Sequence, residues 1–173
     1  SLVQSDEQVQ QAWANVQATY QRRADLIPNL VETVKGAADF EQETLTAVTE
    51  ARAKATSIQV TPEDLENPQQ LQQYQQAQSA LGQSLGRLLA VSENYPQLQA
   101  TQSFSDLQAQ LEGTENRITV ARRDYNNAVR QYNTQVRSFP TVLFASLMGF
   151  DQKASFEAEQ GAEQAPDVNF GSE

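Results

Sequence analysis

The side chains of this chain that could do chemistry are carboxylates that have arginines as possible neighbours. Glu32, Glu41 and Glu115 are the carboxylates in question, and the arginines occur on the same predicted helices. Two carboxylates can share acid–base work when their surroundings push their pKa values apart. A carboxylate-dependent hydrolase or transferase is therefore one hypothesis for the function. The sequence contains no histidine and no cysteine, so the most frequent general base and the thiol nucleophile are missing. We predict no catalytic residues and no enzymatic activity.

The sequence also offers little to a metal ion or a cofactor. Carboxylate metal sites in helical bundles use Glu-x-x-His pairs, and such pairs require a histidine. Glu112 and Glu115 lie three residues apart and could share a cation, but pairs of this kind are common on helix surfaces. We predict no metal and no cofactor.

The charge of the chain argues against nucleic acid and against a bare anionic bilayer as partners. The net charge is −10, whereas binding to phosphate backbones needs clustered lysine and arginine. Acidic residues outnumber basic ones by five within residues 151–173, so half of the excess lies in this segment. Apolar residues make up 39%, and no run is long enough to cross a membrane.

The elements that must position these groups are long helices. Between residues 104 and 139 one apolar residue recurs at every seventh position, which predicts one helix of about 36 residues and roughly 54 Å. Its stripe is formed by Phe104, Leu111, Ile118, Tyr125, Tyr132 and Phe139. A similar pattern predicts a first helix over residues 5–38, with a kink or a break at Pro28.

Capping residues predict where the other helices begin. Asp39, followed by Gln42, is the predicted N-cap of the second helix, and Ser103 is that of the fourth. Thr61 and Asn67, each followed by proline, predict a short turn and then the main third helix. The sequence thus predicts an all-α fold, an elongated antiparallel four-helix bundle over residues 5–150. A partly irregular acidic tail, residues 151–173, would pack on the bundle or extend from it.

Charged residues also occupy positions in the predicted helix seams. Such charges cost several kcal/mol each unless they are paired and hydrogen-bonded, so we expect Arg22 or Arg23 to meet Glu115. In the same way, Arg122 or Arg123 would meet Glu32 or Glu41. The network either fixes the register of the helices or binds a ligand, and we favour the register. The candidate residues of this polar seam network are Arg22, Arg23, Glu32, Glu115 and Arg122.

A run of nine residues, Val142–Phe150, is the most apolar part of the chain. The run would either fold back to cap the open end of the bundle or form an exposed surface for a membrane or a partner. We take capping as the default. The candidate interaction surface consists of Val142, Leu143, Phe144, Leu147, Met148 and Phe150.

Several segments resemble the signature of LemA family proteins. Residues 13–16 are WANV, residues 20–36 are YQRRADLIPNLVETVKG, and residues 85–91 are LGRLLAV. Further matching blocks are Glu115-Asn116-Arg117-Ile118, the pairs Tyr125-Asn126 and Tyr132-Asn133, and Ser138-Phe139-Pro140. The resemblance spans roughly residues 9–170.

The resemblance implies a bacterial protein with one N-terminal transmembrane helix, a helical bundle beyond it and no known catalytic residues. We therefore expect that this chain begins just after such an anchor and belongs at a bacterial membrane, on a side that the sequence does not give. The expected partners are an unidentified membrane or membrane-associated protein and, through the anchor, the bilayer.

Three functions remain open from the sequence. A non-enzymatic interaction or scaffold module is the leading hypothesis, and the carboxylate-dependent enzyme is an alternative. The other alternative is a sensor that binds a lipid or a peptide in an open groove lined by Trp13, Tyr20 and Tyr125.

Overall fold

The computed structural model describes residues 1–138 and 141–156. Within these ranges it contains helices and no strand, which confirms the prediction of an all-α fold. A short 3₁₀ turn at Glu63–Glu66 precedes the third long helix. The α-helices are α1 (Leu2–Lys35), α2 (Gln42–Ser57), α3 (Pro68–Ser92), α4 (Pro96–Gln99), α5 (Gln102–Arg137) and α6 (Thr141–Met148).

The two longest helices, α1 and α5, pack against each other in opposite directions. Val9 near the start of α1 shares a core cluster with Tyr132 near the end of α5. Leu30, near the other end of α1, shares a second cluster with Phe104 at the start of α5. We call the end where α1 begins the lower end and the opposite end the upper end. Helices α2 and α3 complete the antiparallel bundle.

The seven-residue stripe predicted for α5 faces inward along the described part of the helix. Phe104, Leu111, Ile118, Tyr125 and Tyr132 are all at most 4% exposed. Since α1 and α5 each carry such a stripe, the two helices bury them against one another and against α3. The sixth member of the predicted stripe, Phe139, lies outside the described residues.

Helix α1 continues through Pro28 without the break that we considered. Proline has no N–H, so the carbonyl of Ala24 loses the hydrogen bond that residue 28 would normally donate. The Nε of Arg52, on α2, donates to this carbonyl at 2.8 Å. The partner that the helix lacks is thus supplied from a neighbouring helix, and α1 can remain one element.

Two of the predicted N-caps are wrong by two residues. Helix α2 begins at Gln42 after Glu41, whose side chain makes no capping hydrogen bond, while Asp39 has a left-handed backbone with φ of 64°. Asp39 thus forms the turn between α1 and α2 instead of the cap. Helix α5 is capped by Thr101, whose hydroxyl oxygen accepts from the N–H of Phe104 at 3.3 Å.

The cap predicted at Asn67 is correct, whereas the short turn predicted after Thr61 has Pro62 as its N-cap residue. The Asp64 carboxylate accepts from the N–H and from the hydroxyl of Thr61, both at 2.9 Å, and fixes the 3₁₀ turn. The Asn67 side chain accepts from the N–H of Gln69 at 3.1 Å and begins α3. Helix α3 stops at Ser92, and Pro96 is the first residue of α4.

The lower end of the molecule differs from a regular four-helix bundle. Helix α2 stops at Ser57, and the chain then passes beside α1, where the Trp13 indole N–H donates to the Val60 carbonyl at 3.2 Å. Below this level, α1 and α5 are covered by α3, by residues 58–66 with their 3₁₀ turn, and by residues 151–156. Val60, Leu65 and Phe156, from residues 58–66 and 151–156, are each at most 5% exposed. Irregular backbone therefore completes the core there.

Candidate functional site

Arg23 carries a buried charge at the centre of the bundle and is 3% exposed. One terminal nitrogen, Nη1, donates to Glu115 Oε1 at 2.9 Å. The other, Nη2, donates to the Gln78 main-chain carbonyl at 2.7 Å and to its side-chain oxygen at 3.1 Å. The guanidinium also lies 5.1 Å from the centre of the Tyr20 ring. Arg23 therefore joins α1, α3 and α5 at mid-height.

A glycine on α3 makes space for this guanidinium. A Cβ added to Gly82 would lie 3.3 Å from Nη1 of Arg23, which is closer than ordinary van der Waals contact. The Nε of Arg23 is buried and has no hydrogen-bond partner among the residues that the structure describes. The side chain of Glu115 is 49% exposed, so one partner of the pair remains in contact with solvent.

The other residues of the predicted seam network do not join Arg23. Arg22 is exposed, and Glu32 is an exposed partner of Lys35, with 3.6 Å between Oε1 and Nζ. The guanidinium of Arg122 lies 4.9 Å from the centre of the Phe156 ring.

The predicted pairing of Arg122 with Glu32 or Glu41 is wrong because of the helix register. Since Arg23 lies opposite Glu115 in an antiparallel pair, Arg122 lies about sixteen residues below Glu32, or roughly 24 Å along the helix axis. Glu41 instead accepts a hydrogen bond from the Thr44 hydroxyl at 2.8 Å. Glu115 lies level with Arg23, about nine residues or roughly 14 Å below Glu32 along the helix axis, so these two candidates for joint acid–base chemistry do not meet.

A second constellation, at the lower end, was not predicted. The segment Asp151–Phe156, which we call the strap, lies along α5 and is held by two asparagines. Asn133 accepts from the Lys153 N–H and donates to the Lys153 carbonyl, both at 2.8 Å. Asn126 accepts from the Phe156 N–H at 2.8 Å and donates to its carbonyl at 3.5 Å.

The strap places one cation and one aromatic ring inside the bundle. The Lys153 ammonium pairs with Asp6 and lies 4.5 Å from the centre of the Tyr132 ring. The Phe156 ring lies 6.1 Å from that of Trp13 and 5.4 Å from that of Tyr125, centre to centre. The described beginning of the acidic tail is therefore packed on the bundle.

A repeated dipeptide was the signal for this site in the sequence. Tyr125-Asn126 and Tyr132-Asn133 are seven residues apart, so each buried tyrosine is followed by an asparagine on the same edge of α5. An amide beside an inward-facing residue can bond a neighbouring main chain, because it carries both a donor and an acceptor. Sequence reasoning assigned these amides no role, since the segment that they hold is distant in the chain.

The structure does not open the aromatic groove expected for a lipid or peptide sensor. Trp13 and Tyr125 are at most 1% exposed and are covered by the strap. A separate groove of about 380 Å³ runs between α1, α3 and the end of α2, with Tyr20 and Tyr74 in its wall. A second cavity, of about 300 Å³, lies beside the strap at Ser155. Neither is lined by a carboxylate.

Three tyrosines have raised pKa values. Burial, together with the nearby carboxylates of Asp6, Glu66 and Asp151, raises the pKa of Tyr132 to about 12. Burial likewise raises the pKa of Tyr125. For Tyr74, burial is again the largest cause, followed by the neighbouring Tyr20.

These shifts predict a loss of stability at alkaline pH. Each phenol binds its proton more tightly in the folded state than in the unfolded state, whose tyrosine pKa is about 10. The contribution of the three protonated phenols to the free energy of unfolding is therefore fully present below about pH 10. It is lost as the pH rises from there towards 12. Urea unfolding at intervals between pH 8 and pH 11.5 should show the midpoint falling above pH 10. The fall should be smaller in Tyr125→Phe, and an equal fall would contradict the assignment.

Helix α6 exposes most of the predicted interaction surface. Ala145 is the buried residue of this helix, at 1% exposure, and Phe150 packs partly against the lower core cluster. Capping, our default for this run, is therefore wrong for the large side chains of α6, because this helix turns only the small Ala145 fully inward. The exposed ones are Val142, Leu143, Phe144, Leu147 and Met148, at 39–84% exposure.

Comparison with known proteins identifies the family of this chain. The sequence profile described as the LemA family matches residues 12–170. The chain belongs to the LemA family. This LemA-family chain is 26% identical to Protein LemA of Metamycoplasma hominis over 159 residues. The alignment covers 92% of this chain and 68% of the relative.

Magnetosome proteins are also similar to this LemA-family chain. Magnetosome protein MamQ 2 of Paramagnetospirillum magneticum is 34% identical over 90 residues, which are 52% of this chain and 33% of that protein. Magnetosome protein MamQ of Magnetospirillum gryphiswaldense is 30% identical over 80 residues, 46% of this chain and 29% of the relative. The alignments thus cover about a third of the magnetosome proteins.

The described part of the LemA-family chain has neither a cluster of metal ligands nor a membrane-spanning helix. Among residues 1–138 and 141–156, no three acidic side chains are gathered in a way that could hold a metal ion. None of the helices in the same ranges is long and apolar enough to span a membrane.

Proposed function

We propose that this LemA-family chain is a non-enzymatic interaction module that works at a membrane surface, with α6 as its contact with lipid. The observation that carries the proposal is the exposure of five large apolar side chains on one helix of eight residues. Water makes such a surface unfavourable unless a membrane or a partner covers it. A short helix with apolar side chains can insert into the boundary between headgroups and acyl chains.

The position of α6 favours lipid as the occupant. Helix α6 follows the lower end of α5, and its Ala145 belongs to the same core cluster as Val9 of α1. Helix α1 begins at this end, with Leu2 packed against that cluster. The LemA resemblance implies a membrane anchor before α1. An anchor at that point would hold α6 close to the bilayer and leave the upper end for protein partners.

The alternative of a carboxylate-dependent enzyme has less support. Glu115 is engaged with Arg23 at mid-height, whereas Glu32 lies towards the upper end of α1. A pocket that holds two of the candidate carboxylates is what such an enzyme requires, and neither cavity described above has one in its wall. The relatives carry the names of a family and of the magnetosome, and none of these names refers to a reaction.

A tethered-vesicle experiment tests the contact between α6 and lipid. The chain, which contains no cysteine of its own, is attached through an N-terminal histidine tag to phosphatidylcholine vesicles with a nickel-chelating lipid. An environment-sensitive fluorophore is placed on Leu147→Cys. Leu147 is 84% exposed, and the matched control position, Val120 on α5, is 45% exposed. We expect the probe at residue 147 to shift to the blue and to be quenched by nitroxide-labelled lipid.

The control and a variant give the outcomes that decide the proposal. The probe on Val120→Cys should remain in water, because this position is far from the lower end. Replacing Leu143, Phe144 and Met148 together by glutamine should remove the quenching at residue 147, since each side chain contributes about 1 kcal/mol when it is partly buried in lipid. Equal quenching at residues 147 and 120, or none at either, would overturn α6 as the lipid contact.

A further inference from the structure

The strap has the features of a peptide bound in a recognition groove. Seven residues of α-helix, the separation of Asn126 and Asn133, span about 10.5 Å. Three residues of extended chain, the separation of Lys153 and Phe156, span about 10 Å. The two asparagines are therefore spaced to bond an extended main chain at every third residue, and each of them bonds both the N–H and the carbonyl of its residue.

The groove also provides hydrogen-bond partners for the main-chain N–H and carbonyl of Ala154, between these two positions. The Ala154 N–H donates to the Leu65 carbonyl at 2.8 Å, and the Ala154 carbonyl accepts from the Tyr125 hydroxyl at 2.8 Å. Bonds of this kind depend on an extended backbone and not on the identity of the side chain. The side chain of Ser155 is exposed. The groove thus sets no requirement for the side chain at the position of Ser155.

Two side-chain pockets give the groove its selectivity. At one, an ammonium group is paired with Asp6 and lies over the face of the Tyr132 ring, and the Lys153 that supplies it is 8% exposed. At the other, an aromatic ring packs against both Trp13 and Tyr125, and the Arg122 guanidinium lies over its face. A lysine and a phenylalanine three residues apart fill both pockets from one extended chain.

We propose that the groove between α1, α5 and the Glu63–Glu66 turn is a binding site for extended peptides of the pattern Lys-x-x-Phe. The chain's own strap is its resident ligand. A partner segment with the same pattern replaces the strap when the strap is released. This proposal does not depend on a contact between α6 and lipid, because the groove and the exposed face of α6 share no residue.

The resident strap sets the condition under which a partner can bind. A segment of the same chain is present at an effective concentration in the millimolar range, so a free peptide competes poorly with an intact strap. Weakening the strap without changing the groove should expose the site. The variant Lys153→Ala/Phe156→Ala does this, because it empties both side-chain pockets and leaves the residues that line them in place.

Binding of a labelled peptide with the sequence FDQKASF, which is residues 150–156, is the test. We expect the double variant to bind this peptide on the order of tenfold or more tightly than the wild-type chain, by fluorescence anisotropy. Peptides in which the lysine or the phenylalanine is replaced by alanine should bind weakly. In the double variant combined with Asp6→Ala, the preference for the lysine peptide over its alanine counterpart should become smaller, since the carboxylate that pairs with the ammonium is gone and only the Tyr132 ring remains.

A second measurement keeps the proposal testable if the double variant does not fold. A nitroxide on Ser155→Cys, in an otherwise intact chain, reports whether the strap is bound, because this side chain is exposed and, among the described residues, makes no contact that holds the strap. Millimolar FDQKASF should increase the mobility of the nitroxide, whereas the peptide with both residues changed to alanine should not. A folded double variant that does not bind the peptide, or a nitroxide whose mobility is the same with either peptide, would overturn the proposal.

Discussion

Replacing Arg23 with alanine should lower the free energy of unfolding by about 2–4 kcal/mol. The substitution removes the donors to Glu115 and to both oxygens of Gln78, and it leaves space among α1, α3 and α5. A buried pair broken on one side typically costs about 3–5 kcal/mol. We expect less here because Glu115, whose side chain is 49% exposed, can turn towards water. Thermal unfolding followed by circular dichroism should show a melting temperature lower by about 4–16 °C.

The neighbouring arginine is a matched control for this prediction. Arg22→Ala changes the same residue type on the exposed face of α1 and should alter stability by less than about 0.5 kcal/mol. The double substitution Arg23→Met/Glu115→Gln removes both charges and keeps an unbranched side chain beside Gly82. If Arg23 serves only the helix register, this variant should recover most of the loss. Equal melting temperatures for Arg23→Ala and Arg22→Ala would show that the buried pair does not stabilise the bundle.

Replacing Trp13 with alanine should cost about 3–5 kcal/mol, the largest loss that we expect from a single change at the lower end. Trp13 is 1% exposed, and its ring lies within 6.1 Å of those of Tyr74, Tyr125 and Phe156, centre to centre. Its N–H also satisfies the Val60 carbonyl. One side chain thus connects α1, α3, α5, the segment after α2 and the strap. Urea unfolding, followed by circular dichroism, measures the loss.

A conservative variant separates the two contributions of this side chain. Trp13→Phe retains an aromatic ring but leaves the Val60 carbonyl without its indole donor, so its cost should be about 1–3 kcal/mol. Hydrogen exchange should show faster opening of the strap amides of Lys153 and Phe156 in Trp13→Ala than in wild type, since Phe156 loses a neighbouring ring. Unchanged exchange at these amides would mean that Trp13 does not hold the strap.

The prediction of helix positions succeeded where many residues carried the same signal. The stripe of α5 places five apolar residues on one face, so an error at any one of them would not move the helix. The N-caps of α2 and α5 were predicted less well, because a single Asp or Ser decides each one. Asp39 lies in the tight turn after α1, where it has a left-handed conformation, and therefore does not cap α2.

The role of Arg23 was predictable only in part. Its position in a seam of α1 predicted that the charge would need a partner, and Glu115 was among the candidates. The contribution of Gln78 was not predicted, because a main-chain carbonyl leaves no mark in a sequence. The same reason applies to Arg52, which donates from another helix to the Ala24 carbonyl that Pro28 leaves without a partner. Such contacts depend on which helices become neighbours.

The sequence by itself determined that this LemA-family chain is helical, and which faces of α1 and α5 are buried. Helical periodicity is a local property, because the spacing of apolar residues sets the face that water disfavours. Only the tertiary structure decided that α2 stops at mid-height, that the strap completes the lower core and that α6 remains exposed. These outcomes depend on the space left between packed helices. Local patterns do not encode that space, since it arises from contacts between residues as distant as Asn126 and Phe156.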